Sequence, residues 1–441
     1  MKMKKAASLL LGASVLAGSL AGCSTGNPAS EDSTSKNGTT TIEFWAAPNP
    51  PQQAYWKETA KAFEKDHPKI KIKVSPIKES PTSEASIQSA IAGMEAPTMS
   101  ENINRGFAAQ LAESKAIEPL NKMEGYDDIL KSRSMSDTIK GWKFSDGNQY
   151  VLPIYSNAML FGWRLDILKK LGYNEPPKTY SEVLDVTKKL KAKYPDKYLW
   201  AKPDLADPTA WKRWFDFFML YDAASGGNNF IEGNKLVADD KAGVDVLNFM
   251  DNIRKEKGIL TKQSKDPFET GLGIFTDIGP WTLQYWAEKF PEMKYNKTFA
   301  FSTPPVPDGT DTKNVSTFAD TKGLVIYSSA PENEKKAAME FIKWVYSKPE
   351  NDVKWMEKTN LPPARDDLAT NDAFKAIFDK NPALKPYAEA IPNAVPSIDN
   401  AKYNELQTYI GQYAVNPVVK GEVQPKKGWE KMKEAIEGDL K

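Results

Sequence analysis

The 441-residue chain holds one histidine, His67, and one cysteine, Cys23. Catalytic triads, histidine-ligated metal centres and most general-base schemes need a histidine set among other functional groups. His67 stands in Lys65-Asp66-His67-Pro68, a polar run that reads as a solvent-facing helix end. No GxxxxGK(S/T) phosphate loop occurs, and no GxGxxG opens a helix. One reaction class works with neither histidine nor cysteine, the hydrolysis of glycosides by a pair of carboxylates. With 58 acidic residues such pairs arise by abundance alone, so the signal is weak. Asp308-Gly309-Thr310-Asp311 hints at a calcium loop but lacks the other ligands of an EF-hand, and reads as a turn. No cofactor and no metal is expected.

Aromatic residues are the informative excess, with 12 Trp, 17 Tyr and 19 Phe. They cluster at Trp211, Trp214, Phe215 and Phe218, and again at Trp281, Tyr285 and Trp286. Trp211 and Phe215, like Trp281 and Tyr285, are four residues apart, so either pair could be the buried stripe of a helix. Trp281 directly follows the turn-like Ile278-Gly279-Pro280 and so stands at the mouth of an element. Trp45 has the same character, between a strand and a Pro-rich loop. In open α/β sheets ligands bind beyond the carboxyl ends of the strands, where Trp45 would stand. A flat π face there suits the C–H face of a sugar ring, with Asn, Asp and Arg side chains bonding its hydroxyls.

The frame that must position these residues alternates strands and helices. Thr41 to Trp45 alternates as a strand and leads into the loop AAPNPPQ. Trp56, Ala60 and Phe63 share one helical face, and Asp66-His67-Pro68 ends that helix. Ile70, Ile72 and Val74 alternate with Lys71 and Lys73, which predicts a right-handed βαβ unit with a parallel strand pair. Gly147 to Pro153 reads as a turn and short strand, and Met159 to Trp163 as another strand. Thr179 and Glu182 have capping-box spacing ahead of a Val183, Val186, Leu190 stripe. Gly323 to Tyr327 predicts a further strand, followed by a helix with Ala338, Phe341, Ile342 and Val345 on one face. The class is α/β, without an internal repeat of solenoid period.

The N-terminus concerns location. Lys2, Lys4 and Lys5 precede an apolar stretch from Ala6 to Leu20, the layout of a cleavable secretory signal and too short to cross a bilayer. Leu20-Ala21-Gly22-Cys23 resembles a bacterial lipobox, whose cysteine is lipidated and becomes the first mature residue; the alternative is an ordinary signal with a chance cysteine. Removing residues 1–22 takes away three lysines and no acid, leaving 56 basic against 58 acidic residues. That balance argues against a nucleic-acid partner. Residues 24–40 carry no aromatic and no aliphatic larger than Ala, which predicts a flexible tether over 23–40. About 400 residues remain, more than one core usually organises, so two lobes are expected.

At this point the chain resembles the extracellular solute-binding proteins of ABC importers, in particular the carbohydrate-binding group that includes maltose-binding protein. The likeness runs through essentially the whole mature chain in ordered motifs: IEFW, AFEKDHPKIKIKV, AQLAESKAIEPL, DGNQYVLPIYSNAMLFGWRLDILKKLGYNEPPKTYSEV, DIGPW, GLVIYSSAPENEKKAAMEFIKWV and NLPPARDDL. It departs after AIAGMEAP, where Thr98 replaces a common Asp, and at Gly162-Trp163-Arg164, where many members have Tyr-Tyr-Asn. Neither change removes an aromatic from the expected cleft.

The resemblance implies a two-lobed periplasmic-binding-protein-like fold with hinge segments and an interlobe cleft. One lobe is expected from 41–155 and 323–365, the other from 156–322 and 366–441. It implies ligand contacts at Trp45 and Asn49 after the first strand, and at Trp281 as the stacking residue of the GPW motif. Asn102, Asn104 and Arg105 fall after the AP motif, Tyr155 and Asn157 at a crossover between lobes, and Trp211 and Trp214 in the second lobe. Asp320 falls either at the cleft or in a turn. Several aromatic positions favour an oligosaccharide, and an arabino-oligosaccharide or another plant-cell-wall sugar is the narrower expectation. The expected protein is a monomeric, non-enzymatic lipoprotein outside the bacterial cell membrane, anchored through Cys23 and delivering its sugar to the transmembrane subunits of a permease. A lipid-anchored glycosidase and a surface sugar sensor or adhesin are the alternatives.

Overall fold

The computed structural model describes residues 38–79, 82–208 and 213–441. The expected signal segment, Cys23, most of the tether and Trp211 lie outside the described residues.

The chain opens with β1 (Thr40–Ala46), in which Ile42, Phe44 and Ala46 are buried on one face. Asn49 then caps the helix Pro50–Asp66, its side-chain oxygen accepting from the Gln52 N–H at 3.4 Å, with proline tolerated in the first turn. Trp56 and Phe63 of this helix are fully buried, and Trp56 meets Phe44 edge-on at 4.9 Å. The helix leads to β2 (Ile70–Pro76), paired parallel to β1 from Thr40↔Ile70 to Ala46↔Pro76, so the expected βαβ unit is present. His67 is not simply solvent-facing. Its ring stacks on Phe63 at 4.0 Å and its Nε2 lies 3.3 Å from Glu340.

The remaining strands are β3 (Met99–Ile103), β4 (Leu152–Ala158), β5 (Leu160–Trp163), β6 (Tyr198–Ala201), β7 (Ile231–Glu232), β8 (Lys235–Leu236), β9 (Ile259–Leu260), β10 (Gly273–Ile278), β11 (Ala300–Ser302), β12 (Thr317–Ile326) and β13 (Ala394–Pro396). They form two main sheets. The first has the order β13-β12-β3-β1-β2, with β4 also pairing β12, and the second β11-β5-β10-β6-β9. Helices flank both, giving a two-lobed α/β architecture.

Only Met159 separates β4 in the first sheet from β5 in the second, so one nearly continuous extended segment serves both. The chain returns between β11 and β12. The two crossings are bonded where they meet: the Met159 N–H donates to the Phe318 carbonyl at 2.9 Å, and the Thr317 hydroxyl donates to the Met159 carbonyl at 2.6 Å.

β12 begins six residues before the strand expected at Gly323. Its start, Thr317 to Ala319, pairs with β13, its polar stretch Asp320-Thr321-Lys322 pairs with Asn157, Ser156 and Tyr155 of β4, and the register shifts at Gly323. A Cβ at Gly323 would sit 2.3 Å from the Leu152 carbonyl oxygen, which explains both the glycine and the irregularity. The capping box predicted at Thr179 and Glu182 is formed. Among the described residues no helix is long and apolar enough to cross a membrane.

Candidate functional site

A cavity of about 600 Å³ opens between the two sheets. Its lining draws on β12 (Phe318 to Lys322), on Trp214, Phe215 and Trp281 from the second-sheet side, and on Thr82, Glu84 and Asn104 from the first. Ser397, Tyr403 and Asn404 of the C-terminal segment complete it.

The aromatic wall is braced from behind. Trp214 and Phe215 sit in a single short turn between Arg213 and Asp216, both fully buried and paired at 2.8 Å. Arg213 also donates to the carbonyls of Asp204 (2.6 Å) and Asp207 (3.0 Å). Trp214, only 7% exposed, lies parallel to Phe318 with centroids 5.2 Å apart and also stacks on Phe218 at 4.9 Å. Phe215 is edge-on to Trp281 at 6.3 Å and to Phe318 at 6.1 Å. Lys202 donates to the Phe215 carbonyl at 2.8 Å and to Asp277 at 2.5 Å, joining that turn to β10, which leads directly to Trp281.

Trp281 is 42% exposed. It begins the helix Thr282–Lys289, and its indole folds back over Gly279, where a Cβ would lie 2.2 Å from the ring. Only glycine permits that approach, and the indole, packed there, still contributes exposed surface to the cavity. A wall of rings facing Asn104, Asp320, Lys322, Asn404 and hydroxyl groups offers stacking and hydrogen bonding together.

Asn104, Trp214, Trp281 and Asp320 are thus brought together. Asn104 also caps the helix Arg105–Glu113, accepting from the Phe107 N–H at 2.8 Å. The other expected positions among the described residues do not line this cavity. Trp45 is half-buried against the core, and Asn49 is an exposed helix cap. Asn102 has a left-handed backbone with φ 67°. Arg105 is a tie between segments: it donates to the carbonyls of Ser397 (3.0 Å) and Lys143 (2.8 Å), and lies 3.4 Å from Asp399. Tyr155 and Asn157 are buried opposite Lys322 and Asp320, and the Asn157 side-chain oxygen has no partner.

Residues missed by sequence reasoning include Phe318, Lys322, Ser397, Tyr403 and Asn404. Phe318 lies at the start of β12, paired with Val395 of β13, and Lys322 in the polar stretch paired with β4. Tyr403 and Asn404 belong to a C-terminal helix that carries no motif.

Near the cavity Glu101 of β3 is fully buried, accepting from the Ala47 N–H at 2.6 Å and from the Trp56 indole N–H at 2.7 Å. Burial pushes its carboxyl up to about 7 against those two stabilising bonds. The carboxylates that line the cavity are Glu84 and Asp320, so a hydrolytic mechanism there would need both.

A larger cavity of about 1050 Å³ lies against the other face of the helix Thr282–Lys289, at Leu283 and Trp286. Its polar lining, Lys294, Lys297, Lys380, Glu357, Asn360 and Asn381, surrounds an apolar packing seam. The smaller cavity, with its ordered rings and convergent polar groups, is the better candidate.

Residues 58–386 match the bacterial extracellular solute-binding protein family. A solved but uncharacterized protein of Listeria monocytogenes EGD-e is 60% identical, with 91% of this chain and 100% of that one covered and a TM-score of 0.89. The cyclic alpha-maltosyl-1,6-maltose binding protein of Arthrobacter globiformis is 17% identical over 91% of this chain and 99% of that one, with a TM-score of 0.77. A substrate-binding protein of Listeria monocytogenes in complex with cycloalternan is also 17% identical, over the same shares, with a TM-score of 0.68. The chain belongs to the bacterial extracellular solute-binding protein family.

Proposed function

We propose that the protein is the substrate-binding component of a carbohydrate ABC importer, taking an oligosaccharide into the cavity between its two sheets. The observation that carries this reading is the pairing of an exposed indole at Trp281, set edge-on to Phe215, with polar groups on β12 around one cavity. Cavities of 300–1,000 Å³ hold ligands of this kind, and the 600 Å³ here accommodates more than one ring. Relatives of the same fold named for a cyclic maltosyl-maltose and for cycloalternan support a glycan as the ligand class.

Ligand held by both lobes favours the closed arrangement, because only that arrangement contacts it on two sides. Bending is assigned to Met159 and the Ser302 to Thr317 connection, with one lobe built around each sheet. Lipidation of Cys23 would keep the loaded protein near the permease. The sugar is assigned to the oligosaccharides, with arabino-oligosaccharides and α-linked gluco-oligosaccharides as the panels to compare.

Titration calorimetry of the purified protein with both panels tests this reading. Binding of at least one series is expected, and Trp281→Ala should weaken it on the order of tenfold through loss of the stacking face. Full affinity in that variant would remove the cavity as the site. Release of reducing ends at a useful rate, abolished by Glu84→Gln or Asp320→Asn, would establish the glycosidase instead.

A further inference from the structure

The aromatic surface does not stop at the cavity. Among the described residues five large hydrophobic side chains are exposed, and two of them, Trp281 at 42% and Tyr285 at 44%, lie four positions apart at the start of one helix. That spacing places their backbone positions on one face, about 6 Å apart along the axis. Trp281 lines the cavity and Tyr285 does not. The inward face of the same helix is already filled, since Trp286 is buried against Phe268 and Phe299. Core packing therefore accounts for Trp286 and leaves Tyr285 unexplained.

The Tyr285 ring is oriented without being covered. It meets Phe290 edge-on at 5.6 Å, and its hydroxyl reaches Asp266 at 3.5 Å. Gln284 and Glu288, one on either side in sequence, are exposed and offer hydrogen-bonding groups beside it.

We propose that the sugar site continues out of the cavity along this helix, with Tyr285 as an outer stacking platform for a further glycosyl unit of a linear oligosaccharide. This rests on the oligosaccharide reading and adds a chain-length preference to it. The separation along the helix is of the size of one sugar ring, so a chain lying on the Trp281 indole can place its next units over Tyr285. A monosaccharide or a short chain held wholly in the cavity would not reach it.

The test is calorimetry of wild type, Tyr285→Ala and Tyr285→Phe with malto- and arabino-oligosaccharide ladders of two to six units. The wild type should tighten with length by on the order of three- to tenfold before levelling off. Tyr285→Ala should match it for the shortest binding ligand and lose that gain, while Tyr285→Phe keeps it. If the ladders bind and Tyr285→Ala shows the wild-type length dependence, or the wild type shows none, the outer platform is overturned and the importer reading stands. If neither ladder binds the wild type, the oligosaccharide reading falls and takes the platform with it.

Discussion

Lys202 and Asp277 form an ion pair of 2.5 Å whose ammonium also holds the Phe215 carbonyl at 2.8 Å. Both side chains are largely buried, at 12% and 17% exposure. One cation thus fixes two parts of the aromatic wall, the turn bearing Trp214 and Phe215 and the strand that delivers Trp281.

Lys202→Met should therefore act on binding as well as on stability. Removing the cation leaves Asp277, among the described residues, with the Thr276 hydroxyl at 3.3 Å and frees the Phe215 backbone. A loss of about 1–3 kcal/mol in urea unfolding is expected, with a several-fold rise in the sugar Kd. The double variant with Asp277→Asn should recover part of the stability, since no buried charge is then left unpaired, but not the affinity. An unchanged Kd in Lys202→Met would reduce the pair to a purely structural role.

Legibility in the sequence followed the range of the interactions involved. The βαβ start and the Thr179–Glu182 capping box depend on contacts within a few residues, and periodicity alone exposed them. Trp281 was marked by the adjacent Gly279-Pro280 turn. Asn49 and Asn104 show the limit of residue type, because a short amide side chain serves a helix cap as readily as a sugar hydroxyl. Arg105 was opaque for another reason: Lys143, Ser397 and Asp399 come from distant parts of the chain. The early start of β12 was hidden likewise, since Asp, Thr and Lys become strand residues there only through β4.

Glu101 gives the protein a pH-dependent stability with a defined sign. Its folded value of about 7 lies above the ordinary 4.5, so the folded chain holds this proton more tightly than the unfolded chain. The contribution is complete below 4.5 and is lost as pH rises through 7. At about 1.4 kcal/mol per unit the change is on the order of 3 kcal/mol. Glu101→Gln removes the titration, while its amide puts an NH2 group in place of one of the two oxygens that accept from Ala47 and Trp56, which adds a constant offset. Urea unfolding from pH 4.5 to 8 should show the wild type losing about 3 kcal/mol relative to this variant. A difference that stays flat across the range would refute the assignment.

Arg133, with no exposed side-chain surface, donates to both oxygens of Asp352 at 2.8 and 3.1 Å and to the carbonyls of Pro153 and Ile154 at the start of β4. Arg365 reaches the same carboxylate at 3.2 Å but has its own bidentate partner in Asp367, at 2.8 and 3.0 Å, so Asp352 is the carboxylate of Arg133 beside the strand that crosses between the sheets. Asp352→Ala leaves the fully buried Arg133 guanidinium without a carboxylate, while Arg365 keeps Asp367, and should cost about 3–5 kcal/mol in urea unfolding. The pair Lys343 and Asp128 is shorter, at 2.6 Å, but more than half exposed on both sides, and Lys343→Ala should leave the unfolding midpoint within error of wild type. Burial, not distance, sets the difference, because water replaces a lost partner only at the surface. Equal losses in the two variants would show that Asp352 is not the electrostatic anchor of the crossing strand.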